Sequence, residues 1–256
     1  MERHTLQVAR WRIGCAGWSI PAAHAARFPA HGSHLERYAQ VFDAVEINSS
    51  FYRPHRPSTY ARWADAVPPD FRFAVKMPKT LSHEARLRGG EAELAAFLDQ
   101  AGRLGAKLGC LLLQLPPSLA FEPGVAEAFF RRLRASHPGP VACEPRHPTW
   151  FAAPADALLR AFGIARAGAD PARRPRAALP AGDRRIEYLR LHGSPHTYYD
   201  AYGEAALARV ARRLRTPRPG VEERWCVFDN TALGHATANA LALAAMLRHA
   251  DAPRRS

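Results

Sequence analysis

The chain has few cysteines and no long apolar run, and these absences exclude several classes of protein. Cys15, Cys110, Cys143 and Cys226 each lie in a different predicted strand, and no CxxC spacing occurs. We therefore expect small buried thiols, and neither a disulfide framework nor a zinc site. Residues 1–12 lack the apolar run of a signal peptide, and no stretch reaches the roughly 18 apolar residues of a membrane span. The predicted location is the cytoplasm, with no membrane partner.

Several catalytic and nucleotide-binding signatures are also missing. The first strand is not followed by the Gly-x-Gly-x-x-Gly of dinucleotide-binding folds, and there is no P-loop. No Gly-x-Ser-x-Gly indicates a nucleophilic serine, and no HxH or HExxH pair indicates a metal site. We predict no cofactor and no metal ion. The alternative is a mixed oxygen and nitrogen site of Glu46, Glu144, His192 and Asp229, which the neighbouring cations disfavour.

Positive charge is in excess. Lysine and arginine number 36 against 23 aspartates and glutamates, which gives a formal net charge of +13. A basic surface can attract nucleic acid or phosphate esters. The excess is mostly arginine in a chain rich in alanine and proline, and several arginines fall in loops and tails. A generic solvated surface is therefore the alternative to a functional basic face.

Length and pattern favour a single α/β domain. The 256 residues are 47% hydrophobic, and their number is close to the roughly 250 of a (β/α)8 barrel. Strand and helix patterns alternate about eight times, which favours a parallel α/β architecture. The predicted strands are 12–17, 44–48, 71–77, 109–115, 141–144, 163–167, 186–193 and 223–229. Alternation also fits an open doubly wound sheet, but length and repeat number favour a TIM barrel over residues 1–256, with its core at about 12–249.

The predicted helices follow these strands. They cover 33–42, 58–66, 91–104, 124–135, 155–162 and 204–215, with an alanine-rich helix after His235. Ser33 and Glu36 have the spacing of a capping box at the start of the first helix. Residues 168–184 are rich in proline and arginine, and we predict a loop there.

Polar side chains of one parity stand at the ends of the strands. Tyr188, Arg190 and His192 alternate with Leu189 and Leu191, so one strand face is apolar and the other is polar. The same design recurs at other strand ends, and a barrel would bring these residues to one mouth. They are Glu46, Asn48, Lys76, Lys79, Gln114, Glu144, Arg146, His147, Arg190, His192, Asp229 and Asn230.

Carboxylates beside cations suit proton transfer on an anionic substrate. We predict Glu144 as the general acid or base, His192 as its assistant, and Lys76, Arg146 and Arg190 as the groups that hold the anion. Further predicted substrate contacts are Glu46, Asn48, Tyr52, Gln114, Trp150, Asp229 and Asn230.

Several of these residues have a structural alternative. Glu46 could instead be a buried ion-pair partner of Lys76 or Arg190, and Asp229 could cap the last helix. The loops carry aromatic residues that would form either a stacking wall for a base or sugar, or a lid packed on the rim. These are Trp18, Phe51, Tyr52, Trp150, Tyr198, Tyr199 and Tyr202.

Seven motifs in chain order together resemble a known family. They are GCAGW at 14–18, EINSSFY at 46–52, FAVKMP at 73–78, LLQLPP at 112–117, EPRH at 144–147 with Trp150, RLHG at 190–193, and DN at 229–230 with GHA at 234–236 and NA at 239–240. They resemble the domain of unknown function 72 (YecE-like) family over residues 12 to 247. The resemblance implies a TIM barrel but no reaction.

The resemblance also implies a kinship with the endonuclease IV type of barrel, and hence DNA as a partner. That class uses a His-rich trinuclear zinc site, whose ligand set cannot be placed on this sequence. One departure is Asp229, where the resemblance implies asparagine; it replaces an amide by a negative charge.

Three hypotheses for the function follow. The first is a metal-independent enzyme acting on a small anionic molecule such as a phosphorylated one. The second is a nucleic-acid phosphodiesterase or binder, and the third is a non-catalytic ligand-binding barrel. Arginines clustered at the mouth would support an anionic partner, whereas scattered arginines would support the generic basic surface.

Overall fold

Short apolar strands form the centre of the fold, and amphipathic helices separate them along the chain. The computed structural model describes residues 9–251. Its strands are β1 Arg10–Cys15, β2 Ala44–Ile47, β3 Arg72–Lys76, β4 Leu108–Gln114, β5 Val141–Glu144, β6 Ala165–Arg166, β7 Gly168–Asp170, β8 Ala181–Gly182, β9 Ile186–Leu191 and β10 Glu223–Phe228. Its α-helices are α1 His34–Ala39, α2 Pro57–Asp65, α3 Glu91–Gly102, α4 Pro123–Ser136, α5 Ala153–Ala161, α6 Glu204–Arg215 and α7 His235–Asp251.

The strands form two sheets in a mixed α/β fold. One has the order β1-β10-β9-β7, and the other has the order β2-β3-β4-β5-β6-β8. Neighbours are parallel except for β6 and β8, which are antiparallel. The predicted closed (β/α)8 ring is not confirmed, because the pairing is interrupted at two places between the sheets.

At both interruptions the two sheets remain adjacent. Ala16 and Glu46 form an isolated parallel bridge just after β1, and Gly17 N–H donates to the Glu46 carbonyl at 2.9 Å. On the other side, Ala167 alone separates β6 from β7, and its N–H donates to the Cys143 carbonyl at 2.8 Å. Within this one extended segment the pairing partner changes, because β6 pairs with β5 and β7 pairs with β9.

Apolar residues pack on both faces of the strands. A large cluster lies between strands and helices and includes Phe97 and Phe129. A smaller cluster on the opposite face consists mainly of small residues around Tyr188 and Trp225, whose rings stack at 5.7 Å. Gly109 makes room for this pair, because a Cβ there would lie 2.7 Å from the Trp225 ring. The same face carries the polar strand ends.

The structure confirms most of the predicted elements. The capping box is present, with Ser33 Oγ accepting from Glu36 N–H at 3.3 Å and Glu36 Oε2 accepting from Ser33 N–H at 2.6 Å. The prediction of an unbroken loop over 168–184 is wrong, because β7 and β8 lie within it. These strands have three and two residues, which is too short to show a side-chain period.

The structure can be compared with two expectations: that the cysteines are buried thiols and that the chain has no membrane span. All four cysteines are buried and free, and burial raises the pKa of the Cys15 thiol to about 12. Among the described residues, none of the helices combines the length and the apolar character needed to cross a bilayer.

Candidate functional site

Seven of the predicted site residues meet at the carboxyl ends of the parallel strands. They come from β2, β3, β5, β9 and β10 or from the residues just beyond them, and we call them the strand-end cluster: Glu46, Lys76, Glu144, Arg146, Arg190, His192 and Asp229. Six are almost fully buried, and the Arg146 side chain is 20% exposed. The strand parity read from the sequence thus brings together residues separated by more than 140 positions.

Arg190 is the centre of the strand-end cluster. Its Nε and Nη2 donate to the two carboxylate oxygens of Glu46 at 3.0 and 2.7 Å. Nη1 donates to Glu144 Oε2 at 2.7 Å, and Nη2 also donates to Asp229 Oδ2 at 2.9 Å. One buried guanidinium therefore binds three carboxylates, and most of its donors have protein partners. This geometry matches the structural alternative for Glu46, with Arg190 as its partner.

His192 lies between two carboxylates. Its Nδ1 is 2.9 Å from Asp229 Oδ2, and its Nε2 is 3.2 Å from Glu144 Oε1. Burial and the charge of Arg190 would lower the pKa of His192, but the charge of Glu144 and the hydrogen bonds of both carboxylates outweigh them and raise it. His192 is thus held in its protonated form more firmly than a free histidine.

Glu144 is held as an ionised carboxylate. Burial favours its neutral form, but Arg190, His192 and Arg146 together lower its pKa well below the ordinary value. The Arg146 contact is short, with 2.5 Å between Nη2 and Glu144 Oε1. A carboxylate with so low a pKa binds a proton weakly, so Glu144 is better suited to accept hydrogen bonds than to donate a proton.

Lys76 differs from the other members because its ammonium group has no partner. Lys76 is 5% exposed, and within residues 9–251 its Nζ makes no hydrogen bond or ion pair to the protein, although this atom is not fully shielded from solvent. Nζ lies 4.1 Å from the centre of the Phe51 ring, a cation–π contact. Burial, then the charge of Arg190, lowers the pKa of Lys76 to about 8, against the opposing effect of the three carboxylates.

Other predicted contacts lie around the mouth in different settings. Tyr52 is 68% exposed, and Gln114 is partly exposed where β4 pairs with Glu144. Asn48 Oδ1 is buried, and among the described residues it has no hydrogen-bond partner. Asn230 Nδ2 donates to Asp200 O and to Asn239 Oδ1, both at 2.9 Å, so this amide fixes a loop.

The prediction of Trp150 as a substrate contact is contradicted. Its side chain is 1% exposed, its indole N–H donates to the Leu119 carbonyl at 3.0 Å, and it packs against Phe121 and Phe130. The large ring is buried by packing against α4 instead of facing the mouth. Tyr202 is buried as well, whereas Tyr198 and Tyr199 remain 41% and 55% exposed. The predicted aromatic wall is therefore not a continuous surface.

Sequence reasoning named Tyr188 and Phe51 without a specific contact, and it missed His83 beside the strand-end cluster. Tyr188 donates its hydroxyl to Glu46 Oε2 at 3.0 Å, and parity alone places it on the same strand face. His83 stands edge-on to Phe51 with 4.9 Å between ring centres. Burial, followed by the charges of Lys76 and Arg146, lowers the pKa of His83. Neither Phe51 nor His83 belongs to a strand, so no period could indicate that they meet.

The arginines are dispersed over the molecule. Arg12 binds Glu223 and the Asp70 carbonyl at the amino ends of β1 and β10. Arg134 binds the carbonyls of Gly139 and Gly163 before β5 and β6. Arg131 pairs with a neighbour on its own helix. This distribution supports the generic basic surface over a single basic face.

Metal-ligand geometry is absent from the part of the chain that the structure describes: no three His, Cys, Asp or Glu side chains there could hold an ion together. The guanidinium of Arg190 lies between the carboxylates of the alternative site considered above.

Comparison with known proteins identifies a family for this chain. The profile of "Protein of unknown function DUF72" matches residues 12–256. The UPF0759 protein YecE of Escherichia coli, in strain K12 and in O157:H7, is 38% identical over 143 residues, which are 55% of this chain. The match spans 50% of those relatives, about half their length.

Solved structures resemble most of the chain. A DUF72 family protein from Enterococcus faecalis has a TM-score of 0.78 at 19% identity and covers 93% of this chain and 95% of its own. Another, from Thermotoga maritima, has a TM-score of 0.75 at 25% identity and covers 93% of this chain and 99% of its own. This similarity supports the fold.

Proposed function

Because this chain belongs to the DUF72 family, a family of unknown function, we propose a function from the strand-end cluster itself. The protein is an enzyme that carries out acid/base chemistry on a small anionic molecule at the carboxyl mouth of a single (β/α)8 barrel. Two contacts between the sheets support the closed barrel: the bridge of Ala16 with Glu46, and the shared segment of β6 and β7. Arg190 adds side-chain bonds from one sheet to the other.

One observation carries the proposal: Lys76 is buried among charges and is left without a hydrogen-bond acceptor in the described chain. A lysine kept only for stability would be expected to find a carboxylate, because a buried unpaired charge is costly. Three carboxylates lie in the same cluster, but Arg190, His192 and Arg146 already bind them. With its pKa near 8, Lys76 exchanges its proton close to neutral pH.

The proposal assigns a role to each neighbour. Lys76 moves the proton, and Arg146 binds the anion, since its side chain is 20% exposed and its buried Nε is an unused donor within residues 9–251. Glu144 and Asp229 hold His192 and the two arginines in place. Arg190 organises the carboxylates instead of binding substrate, and Glu144 anchors instead of donating a proton; both roles differ from those predicted from sequence.

A thermal-shift screen of carboxylates, phosphate esters and oligonucleotides tests this function, because a ligand that binds only the folded state raises the melting temperature. We expect a small anion to raise the melting temperature. The Arg146→Met variant should need at least ten times more of that anion for the same rise. Lys79→Met is the matched control, because Lys79 is half-exposed and pairs with Glu84 at 3.0 Å.

Two other outcomes would overturn the proposal. Binding of oligonucleotides alone, weakening steeply with salt, would indicate the nucleic-acid hypothesis. A bound small molecule that is recovered chemically unchanged, with Lys76→Met affecting only the melting temperature, would indicate a non-catalytic binding barrel.

A further inference from the structure

The amine of Lys76 stands in a setting that suits more than proton exchange. Its ammonium contacts an aromatic face and, within the described part of the chain, is not held by a hydrogen bond to another protein group. The Phe51 ring covers one side, at 4.1 Å from Nζ. A buried amine with a pKa of about 8 is nucleophilic near neutral pH, because about a tenth of it is uncharged at pH 7.

The neighbours of Lys76 supply the other requirements of amine chemistry. His83 contacts the same Phe51 ring and has a lowered pKa, so it is available as a neutral base. Arg146 reaches the surface above Glu144 and can bind an anionic group of an incoming molecule. His83 and Arg146 would end the reaction with the same charge with which they began it.

We propose that Lys76 forms an imine with a small carbonyl compound that carries a carboxylate or phosphate group bound by Arg146. This inference rests on the proposed function and names its substrate class.

The step balances without any further reactant. The Lys76 Nζ lone pair attacks the carbonyl carbon, a C–N bond forms, and the oxygen takes up the proton that the amine releases, with His83 as the carrier. The C–O bond then breaks as the hydroxyl takes up the second proton of the amine nitrogen, again carried by His83; water leaves, and a C=N bond remains. Amine and carbonyl thus give imine and water, and hydrolysis reverses both steps.

Borohydride trapping tests the imine directly, because reduction converts it to a stable amine adduct. The intact protein is incubated with glyoxylate or pyruvate and sodium cyanoborohydride, and the adduct is located by peptide mass spectrometry. Lysine occurs only at positions 76, 79 and 107, so the assignment is simple. We expect the adduct at Lys76 at least tenfold above that at Lys79.

Variants separate a built site from general amine reactivity. Lys76→Met and Lys76→Arg should abolish the main adduct, and the arginine variant preserves the charge if the methionine variant alters the fold. Arg146→Met should slow trapping of glyoxylate several-fold but leave trapping of uncharged propionaldehyde unchanged. His83→Gln should slow both, because it removes the proton carrier without touching the anion contact.

Two results would overturn the imine. One is equal labelling of Lys76 and Lys79, and the other is no labelling of Lys76. If small anions still raise the melting temperature and depend on Arg146 in either case, acid/base chemistry survives and imine formation alone fails. If no anion raises the melting temperature, the proposed function fails as well.

Discussion

Both ends of the strands contain a buried arginine bound to carboxylates, but the two ends are built differently. At the amino ends, Arg12 is 1% exposed and donates through Nε and Nη2 to Glu223 Oε1 at 3.1 and 2.8 Å. Its Nη1 donates to the Asp70 carbonyl, and Trp225 donates to the other oxygen of Glu223 at 3.1 Å. In this contact the Arg12 guanidinium and both carboxylate oxygens of Glu223 have protein partners.

In the strand-end cluster, the positive and negative groups do not pair one to one. Arg190 serves three carboxylates, His192 serves two, and Lys76 has no acceptor in the described chain. The Glu223 side chain is 25% exposed, whereas those of Glu46 and Glu144 are at most 1% exposed. The comparison teaches that buried arginine–carboxylate pairs do not by themselves indicate a site. A buried, unpaired, titratable group beside them does.

Removal of Arg190 should have the largest effect. Arg190→Met leaves three buried carboxylates without their shared cation, and we expect a loss of about 3–5 kcal/mol of unfolding free energy. Arg12→Met is the matched variant and should lose only about 1–3 kcal/mol, because partly exposed Glu223 can bind water. Urea denaturation measures both values. Equal losses would mean that the two ends are energetically alike.

Removal of Lys76 should raise the free energy of unfolding, whereas removal of Arg190 should lower it. Because its pKa falls from 10.5 to about 8, the folded state holds the charged lysine at a cost at pH 7. Lys76→Met should therefore stabilise the protein by about 1–3 kcal/mol, as expected where a functional site sacrifices stability.

The pH dependence checks the sign of this effect. Between pH about 8 and 10.5 the unfolded chain holds the Lys76 proton and the folded chain does not, so the wild type should gain stability as pH rises. Lys76→Met should lack this gain, whereas Lys79→Met should retain it. A destabilised Lys76→Met variant at pH 7 would show that the lysine is a structural cation.

His192 should show the smallest effect and a different pH window. Its pKa is raised in the folded state, so its contribution is fully present below its ordinary pKa of about 6.5 and is lost as pH rises through the raised value. The stability difference between wild type and His192→Gln should thus be larger at pH 5.5 than at pH 9. A difference that grows with pH would contradict a protonated His192 between two carboxylates.

Local patterns predicted the elements and much of the strand-end cluster. Alternation in 186–191 distinguished Arg190 from Leu189, and the strand ends pointed to Glu46, Lys76, Glu144 and His192, because parity is a local property of the chain. The short strands β7 and β8 were missed because two or three residues carry no period. Trp150 was misassigned because loop aromatics pack inward or outward according to tertiary contacts.

By itself, the sequence determined which residues share a strand face and that the strands' carboxyl ends carry opposite charges, since both depend on neighbours along the chain. Only the tertiary structure decided how those charges pair. Arg190 takes three carboxylates, and Lys76 is left against Phe51. Pairing depends on distances of about 3 Å between segments far apart in the chain, and no local pattern encodes such distances.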